Sequence, residues 1–311
     1  MDLCGFTIRV ELWSIVVIIL AAQTVSASFG YSRRSQHIWP QEFKSCAGKR
    51  QSPIAISSAK SVALPLPALE MNGYHDYLSG PITLKNNGHS VALSVSKGSS
   101  RKRLPYVFGA MLDPEQEYEL EGLHFHWGMK NNRGSEHILN GVRFPMEMHI
   151  IHRNMKYTSV NEALEFENGL TVLAIFFQLQ EDNNERLGPV IKSLPNVQWI
   201  DLEESMNASI VLSSLMPKDT DVYYTYRGSL TTPPCSEAVT WIIFPTPVPI
   251  SFRQMDKFRT LSNGEAVLAD NYRRLQDIGN RKVYARRLAP AFASNPDMID
   301  LNVTRLDWYW Q

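Results

Sequence analysis

Two short alternating segments that carry histidine constrain this chain more than anything else in its sequence. Five of its eight histidines (His124, His126, His137, His149 and His152) fall between positions 124 and 152. In Leu123–Trp127 the two histidines alternate with Leu123, Phe125 and Trp127. Successive side chains of a strand point to opposite faces, so residues two apart share one, and the imidazoles of His124 and His126 converge. A polar, Gly-containing connection leads to a second strand-like segment, Met146–Ile151. If the two strands pair antiparallel, His149 lies beside the first two. Three neutral imidazoles with an open fourth position describe a catalytic zinc site, whereas structural zinc is closed by four protein ligands. A His-x-His pair alone is more often a core feature than a ligand set. The spacing therefore leaves both readings standing, and the surrounding residues must decide between them.

Charge and composition narrow the class. The 311 residues carry 31 basic and 31 acidic side chains, a balance that argues against a nucleic-acid binder. With 44% hydrophobic and 20% charged residues, 17 Gly and 18 Pro, the chain is an ordinary globular protein. Disorder, collagen and a multi-span membrane protein are excluded. Residues 1–27 read as a cleaved secretory signal: Arg9, then the apolar run Leu12–Ala22, then the small-residue site Val25-Ser26-Ala27. The competing reading is a signal anchor, but that run is short for a bilayer. No transmembrane segment is expected in the mature chain. Cys4 leaves with the signal, so Cys46 and Cys235 remain as a candidate pair, with two free buried thiols as the alternative. Asn207-Ala208-Ser209 and Asn302-Val303-Thr304 are glycosylation sequons in a secreted chain. The expectation is a secreted, extracellular glycoprotein.

Strand-like segments recur at Pro81–Lys85, Val91–Ser96, Leu123–Trp127, Met146–His152, Leu170–Gln178, Val222–Arg227 and Ala238–Phe244. Helical patterning is sparse, best at Ser159–Glu167, Asn184–Lys192 and Ser251–Leu261. The reading is a mainly β (α+β) fold with peripheral short helices in one domain, residues 28–288. A tail from 289 to 311 ends in Trp308-Tyr309-Trp310.

The string Leu123-His124-Phe125-His126-Trp127-Gly128, with Gly134-Ser135-Glu136-His137 and Glu147-Met148-His149, strongly resembles the α-class carbonic anhydrases. Gln51-Ser52-Pro53-Ile54 is similar to the family's amino-terminal motif. Asn86-Asn87-Gly88-His89 is similar to its proton-shuttle loop, and Tyr226–Pro234 to its active-site loop. Asp270-Asn271-Tyr272-Arg273 and Asn280-Arg281 match near the end. The resemblance implies a central, twisted, largely antiparallel sheet of about ten strands. It further implies reversible hydration of carbon dioxide to bicarbonate and a proton by zinc-bound hydroxide, a pH-regulating lyase reaction. His124, His126 and His149 then resemble the Zn2+ ligands. Thr231 resembles the hydroxyl that orients the hydroxide, donating its own proton to Glu136. From the residues alone, Thr231 reads more readily as a turn residue and Glu136 as a solvated loop acid. Glu147 resembles the carboxylate behind His149, an ion pair being the alternative, and Asn271 resembles a further outer support of the ligands. His89 resembles the proton shuttle. An imidazole with pKa of about 6.5 can accept and release a proton near neutrality.

Val172, Ile151, Leu230, Thr232 and Trp241 resemble the wall that holds carbon dioxide, and Tyr31 and Asn87 the water network leading to His89. His137 and His152 are expected to bond to neighbouring main chain. Cys46 and Cys235 fall where secreted members carry their disulfide. Two positions depart from the family pattern. Gly122 stands where members usually carry a Gln that supports the first ligand, and Ala92 replaces a polar residue of the cleft wall. The alternative function is a catalytically weak or silent extracellular binding protein of the same fold.

Overall fold

The computed structural model describes residues 29–96, 103–206 and 209–286. The signal-like segment, Cys4, Asn207, Asn302 and the tail lie outside the described residues. Fourteen strands follow in chain order: β1 (Ala55–Ile56), β2 (Val62–Leu64), β3 (Leu69–Asn72), β4 (Ile82–Asn86), β5 (Val91–Val95), β6 (Tyr106–Gly109), β7 (Tyr118–Trp127), β8 (Ile138–Leu139), β9 (Met146–Asn154), β10 (Leu170–Gln180), β11 (Glu203–Met206), β12 (Tyr223–Gly228), β13 (Val239–Ser251) and β14 (Tyr284–Arg286). The helices are α1 (Arg33–Glu42), α2 (Val160–Ala163), α3 (Gly188–Ser193) and α4 (Phe252–Phe258).

Twelve strands make one mixed sheet in the order β11-β4-β5-β7-β9-β10-β13-β12-β14-β2, with β3 attached through β6 to β7. Only β10 with β13 and β14 with β2 run parallel in it. The sheet has twelve strands where the family resemblance implies about ten, the short strands β2, β3 and β14 contributing to the larger number. Strands β1 and β8 form a separate parallel pair.

The central strands are buried on both faces. The first eight residues of β10, Leu170–Phe177, are all buried. Such near-continuous apolar runs are what a strand covered on both sides requires. One face packs Phe125, Met148, Ile150, Leu173, Ile175 and Phe244; the other packs Val172, Ala174, Phe176, Tyr226, Trp241 and Ile243. The candidate histidines belong to the second face, because a bulge sets the register. In β7, Tyr118 and Leu120 join the first core, and so do Leu123, Phe125 and Trp127. The switch from even to odd positions occurs where the β7–β9 register shifts between Leu120 and Gly122. Glu121 is the extra residue there, and such bulges re-aim side chains.

The helices differ most from expectation. Helix α1 carries no clear apolar stripe: only Gln36 and Trp39 are buried, and Ser32 Oγ caps it by accepting from the Ser35 amide at 3.0 Å. The segment expected as a helix over Ser159–Glu167 keeps one turn, α2. Its chain then doubles back so closely that a Cβ at Gly169 would sit 1.7 Å from the Ala163 carbonyl oxygen. Residues 184–192 form a 3-10 turn followed by α3, and Ser251 and Gln254 make a reciprocal capping box for α4. No helix among the described residues is long and apolar enough to cross a membrane.

Cys46 and Cys235 are bonded, joining residues 189 apart. The bridge packs against Trp39 with Phe29, Tyr31 and Phe43 at its edge. Closing so long a loop restricts the unfolded chain, so replacing both cysteines by Ser is expected to lower stability by about 3–5 kcal/mol. Chemical denaturation of the zinc-loaded protein checks this, and an unchanged midpoint refutes it.

Candidate metal centre

Strands β7 and β9 pair antiparallel with His124 opposite His149 and His126 opposite Glu147. Their ring atoms converge accordingly. The Nε2 atoms of His124 and His126 lie 3.0 Å apart, and one nitrogen from each of His124, His126 and His149 lies within 4.8 Å of the others. Two of the rings are fixed from behind. His126 Nδ1 donates to the Asn271 carbonyl at 2.7 Å, and His149 Nε2 donates to Glu147 Oε1 at 2.7 Å. These bonds set the tautomers and leave Nε2 of His126 and Nδ1 of His149 to face the centre. Burial, reinforced by His126 and His149, holds the His124 pKa well below the usual imidazole value; burial also lowers His126. Both are therefore neutral at pH 7, the state a metal ligand needs.

The donor set fits zinc: three neutral nitrogens with room for a fourth ligand. The second cluster of similar composition, His137–Glu147–His149, is a closed hydrogen-bond network. Glu147 accepts from the His137 amide at 2.8 Å, from His137 Nδ1 at 2.7 Å and from His149 at 2.7 Å. Burial alone would raise the Glu147 pKa, but His137 and His149 outweigh it and hold the carboxyl well below its usual range. His137 Nε2 in turn meets the Tyr226 hydroxyl at 2.8 Å, which donates to Ser52 Oγ at 2.8 Å. The His137 ring thus has side-chain partners in place of the expected main-chain ones, while His152 adds a side-chain partner to main-chain contacts with Thr171 and Ile150. His152 Nε2 meets the Tyr74 hydroxyl at 2.6 Å, and burial pushes His152 down to about 3.

Glu136 is fully buried, which removes the solvated-acid reading. Its Oε1 accepts from the Arg273 amide at 2.7 Å. Oε2 has no hydrogen-bond partner and lies 3.5 Å from His126 Nε2 and 3.9 Å from His149 Nδ1. The expected bond from Thr231 to Glu136 is not formed. A buried carboxylate oxygen left without a donor beside two ligand nitrogens is what a site built for a further polar group would show.

A cavity of about 330 Å³ opens above the histidines. Its lining gathers His124 and His149 with Tyr31, Asn87, His89, Ile151, Val172, Leu230, Thr231, Thr232 and Trp241. The apolar members come together because Ile151 pairs with Val172 and Val172 with Trp241 across three adjacent strands. Glu147 and Asn271 lie behind the ligands, whereas Glu136 approaches the nitrogens that face the centre. The sequence reading missed Phe29, Ser90, Val160 and Leu170, which also line the cavity. Of these, Phe29 had a local signal, an aromatic two residues before Tyr31. Its ring stacks on His89 with centroids 3.9 Å apart. Partial burial lowers the His89 pKa. Asn87 Oδ1 accepts from the His89 and Ser90 amides at 3.0 and 2.7 Å, so it shapes the loop that presents His89. Burial raises the Tyr31 hydroxyl pKa well above the usual phenol, with the charge of Glu136 adding to it.

Comparison with known proteins decides the family. A family model described as eukaryotic-type carbonic anhydrase matches residues 34–287. The chain belongs to this family. Carbonic anhydrase 6 of Canis lupus familiaris is 36% identical over 251 residues, covering 79% of this chain and 75% of that protein. Carbonic anhydrase 15 of Mus musculus is 34% identical over 288 residues, 88% of each. Carbonic anhydrase 7 of Mus musculus is 38% identical over 254 residues, covering 79% of this chain and 92% of that one. Reversible hydration of carbon dioxide is the general reaction of the family, which is zinc-dependent as a class.

Gly122 has a structural cause within this family fold. A Cβ there would sit 2.7 Å from the Leu93 carbonyl oxygen of β5. The close approach of β5 excludes a side chain there. Gly122→Gln is therefore expected to destabilise the protein by at least about 1 kcal/mol, within the range for overpacking. A rise in melting temperature together with tighter zinc binding would refute the steric account.

Proposed function

We propose that this chain catalyses the reversible hydration of carbon dioxide to bicarbonate and a proton, with Zn2+ held by His124, His126 and His149. The supporting observation is the convergence of three imidazoles, two fixed by buried partners, at a cavity with an apolar wall. Bound zinc would supply a Lewis acid that brings the pKa of water towards neutrality, an effect for which carbonic anhydrase is itself the standard example.

The protein's residues divide the remaining work. The Glu147 carboxylate keeps the proton of His149 on Nε2, so Nδ1 stays a donor of its lone pair. Thr231 lines the cavity with its side chain buried; in the working site its hydroxyl would accept from the attacking water and turn its own proton to Glu136 Oε2, the oxygen left without a donor in this structure. That pairing fixes which lone pair faces the substrate. Ile151, Val172, Leu230 and Trp241 exclude water from the carbon dioxide side, with Thr232 at the rim. His89 carries the released proton to buffer through water ordered near Tyr31 and Asn87. Its depressed pKa favours release over retention. Asn271 serves two ends of the site, accepting from His126 and donating to the His89 carbonyl at 2.9 Å.

The setting proposed is extracellular, with pH regulation as the consequence of the proton released. Residues 1–27 would be the cleaved leader, 28–288 the catalytic domain and 289–311 the tail, with Asn207 and Asn302 as glycan sites. The Cys46–Cys235 bridge supports an oxidising compartment.

Stopped-flow carbon dioxide hydration, normalised to zinc content, tests the proposal. The purified protein is expected to show fast, zinc-dependent hydration, while His149→Ala loses both zinc and activity. Near-wild-type turnover in that variant, or negligible hydration by the zinc-loaded parent, overturns the reading. The second outcome would favour the binding-protein alternative.

Glu147→Gln is expected to weaken zinc affinity about 10- to 100-fold, as loss of a ligand's outer partner does elsewhere. Competition with a chromogenic chelator measures this. His89→Ala is expected to slow turnover in dilute buffer, with imidazole restoring part of it; absence of rescue would place the shuttle elsewhere.

A further inference from the structure

A second cavity, of about 940 Å³, opens on a different part of the surface from the 330 Å³ metal cavity. No lining residue is common to the two. Five cationic side chains line it, Lys49, Arg50, Arg227, Arg281 and Lys282, against the carboxylates of Glu167 and Asp277. The acids do not neutralise the cations evenly. Glu167 is shared, 2.6 Å from Arg50 and 3.4 Å from Arg227. Arg50 also meets Glu237 at 3.3 Å. Arg281 donates only to main-chain carbonyls, those of Ile278, Arg227, Gln51 and Asp277, at 2.7–3.2 Å. Its fork is thus held over the Tyr226 ring without a close ion pair to a described carboxylate, Glu237 and Asp277 acting on it only at longer range. Lys49 and Lys282 make no ion pair with any described residue. Both are exposed, whereas Arg227 and Arg281 are half-buried.

A cluster of surface lysines would be a solvated face. This one differs because two guanidiniums are anchored in the floor of a concavity, where partial burial weakens screening and strengthens their field. Burial lowers the pKa of both Arg227 and Arg281, the direction expected for cations partly withdrawn from water. The excess of cations exceeds what one monovalent ion would balance. Arginine forks on a fixed frame match the oxygens of phosphate and sulfate groups.

We propose that this cavity is a binding site for a multivalent oxyanion, a ligand bearing two or more phosphate or sulfate groups. Lys49 and Lys282 draw the ligand in from the rim, and the half-buried arginines hold it. The site is independent of carbon dioxide hydration, so its failure would leave the catalytic reading untouched, and the reverse holds too.

Isothermal titration calorimetry on the zinc-loaded full chain tests it, with orthophosphate, pyrophosphate and a sulfated disaccharide as probes at low and high NaCl. Pyrophosphate or the sulfated sugar should bind more tightly than orthophosphate, and which of them binds better identifies the ester class. Affinity should fall as salt rises. In the double variant Lys49→Ala/Lys282→Ala it should fall about tenfold, the combined effect of two ionic contacts. The two side chains are exposed, so the variant should keep its fold, zinc content and hydration rate. Equal affinity in parent and variant would place the anion at the metal centre and overturn the proposal. So would the absence of binding by every probe at low salt.

Discussion

The site depends on the register between β7 and β9. The sheet either side of it would hold together in another register, because both faces of these strands are apolar enough to be buried. What the alternative would lose is chemistry. One residue of slip would place His124 opposite Met148 and turn the imidazoles into the first core, among Phe125 and Trp127. The extra residue at Glu121 absorbs that slip locally, so Tyr118 and Leu120 can face the same core as Leu123, Phe125 and Trp127. Gly122, beside the bulge, lets β5 approach to the distance at which Ala92 pairs with His124. A strand reading that treats alternation as unbroken has to give up one half of β7 or the other.

Around this frame the polar groups form a closed set. Glu147 takes three N–H donors, which is how a carboxylate can be fully buried and remain charged. From it the network continues through His137 and Tyr226 to Ser52, whose hydroxyl also accepts from the Ser229 amide at 3.0 Å. Ser229 begins the turn that carries Leu230 and Thr231. The candidate metal ligand and the loop bearing Thr231 are therefore connected by hydrogen bonds, each partner buried and specified by its neighbour. Arg273 closes the other side, its amide on Glu136 and its guanidinium on Gln51 and the Ser52 carbonyl at 2.9 and 2.8 Å. Burial lowers that guanidinium to about 10.

The legible parts of this fold were those with a local signature. His124, His126 and His149 declared themselves through strand period and a second strand at plausible distance. The central strands did so through alternating or continuous apolar runs. Motif resemblance carried the rest of the site, since Glu136, Thr231 and His89 sit on connections whose local sequence looks like ordinary loop. Nothing local marked Glu136 as buried: its environment is made by Arg273, far along the chain. Helix α1 escaped because one Trp and one Gln anchor it and the remainder is polar. His137 and His152 found Tyr226 and Tyr74 across the fold, long-range partners that no spacing encodes.

The Cys46–Cys235 bridge has a consequence for the life of the molecule outside its native environment. All three candidate zinc ligands lie between the bridged cysteines, which are 189 positions apart. A protease that cuts once anywhere in that span therefore releases nothing. The two fragments stay covalently joined through sulfur, and strands contributed by both remain side by side in the sheet. A nicked molecule would separate only on reduction, so damage to this chain can be silent until its thiols are exchanged.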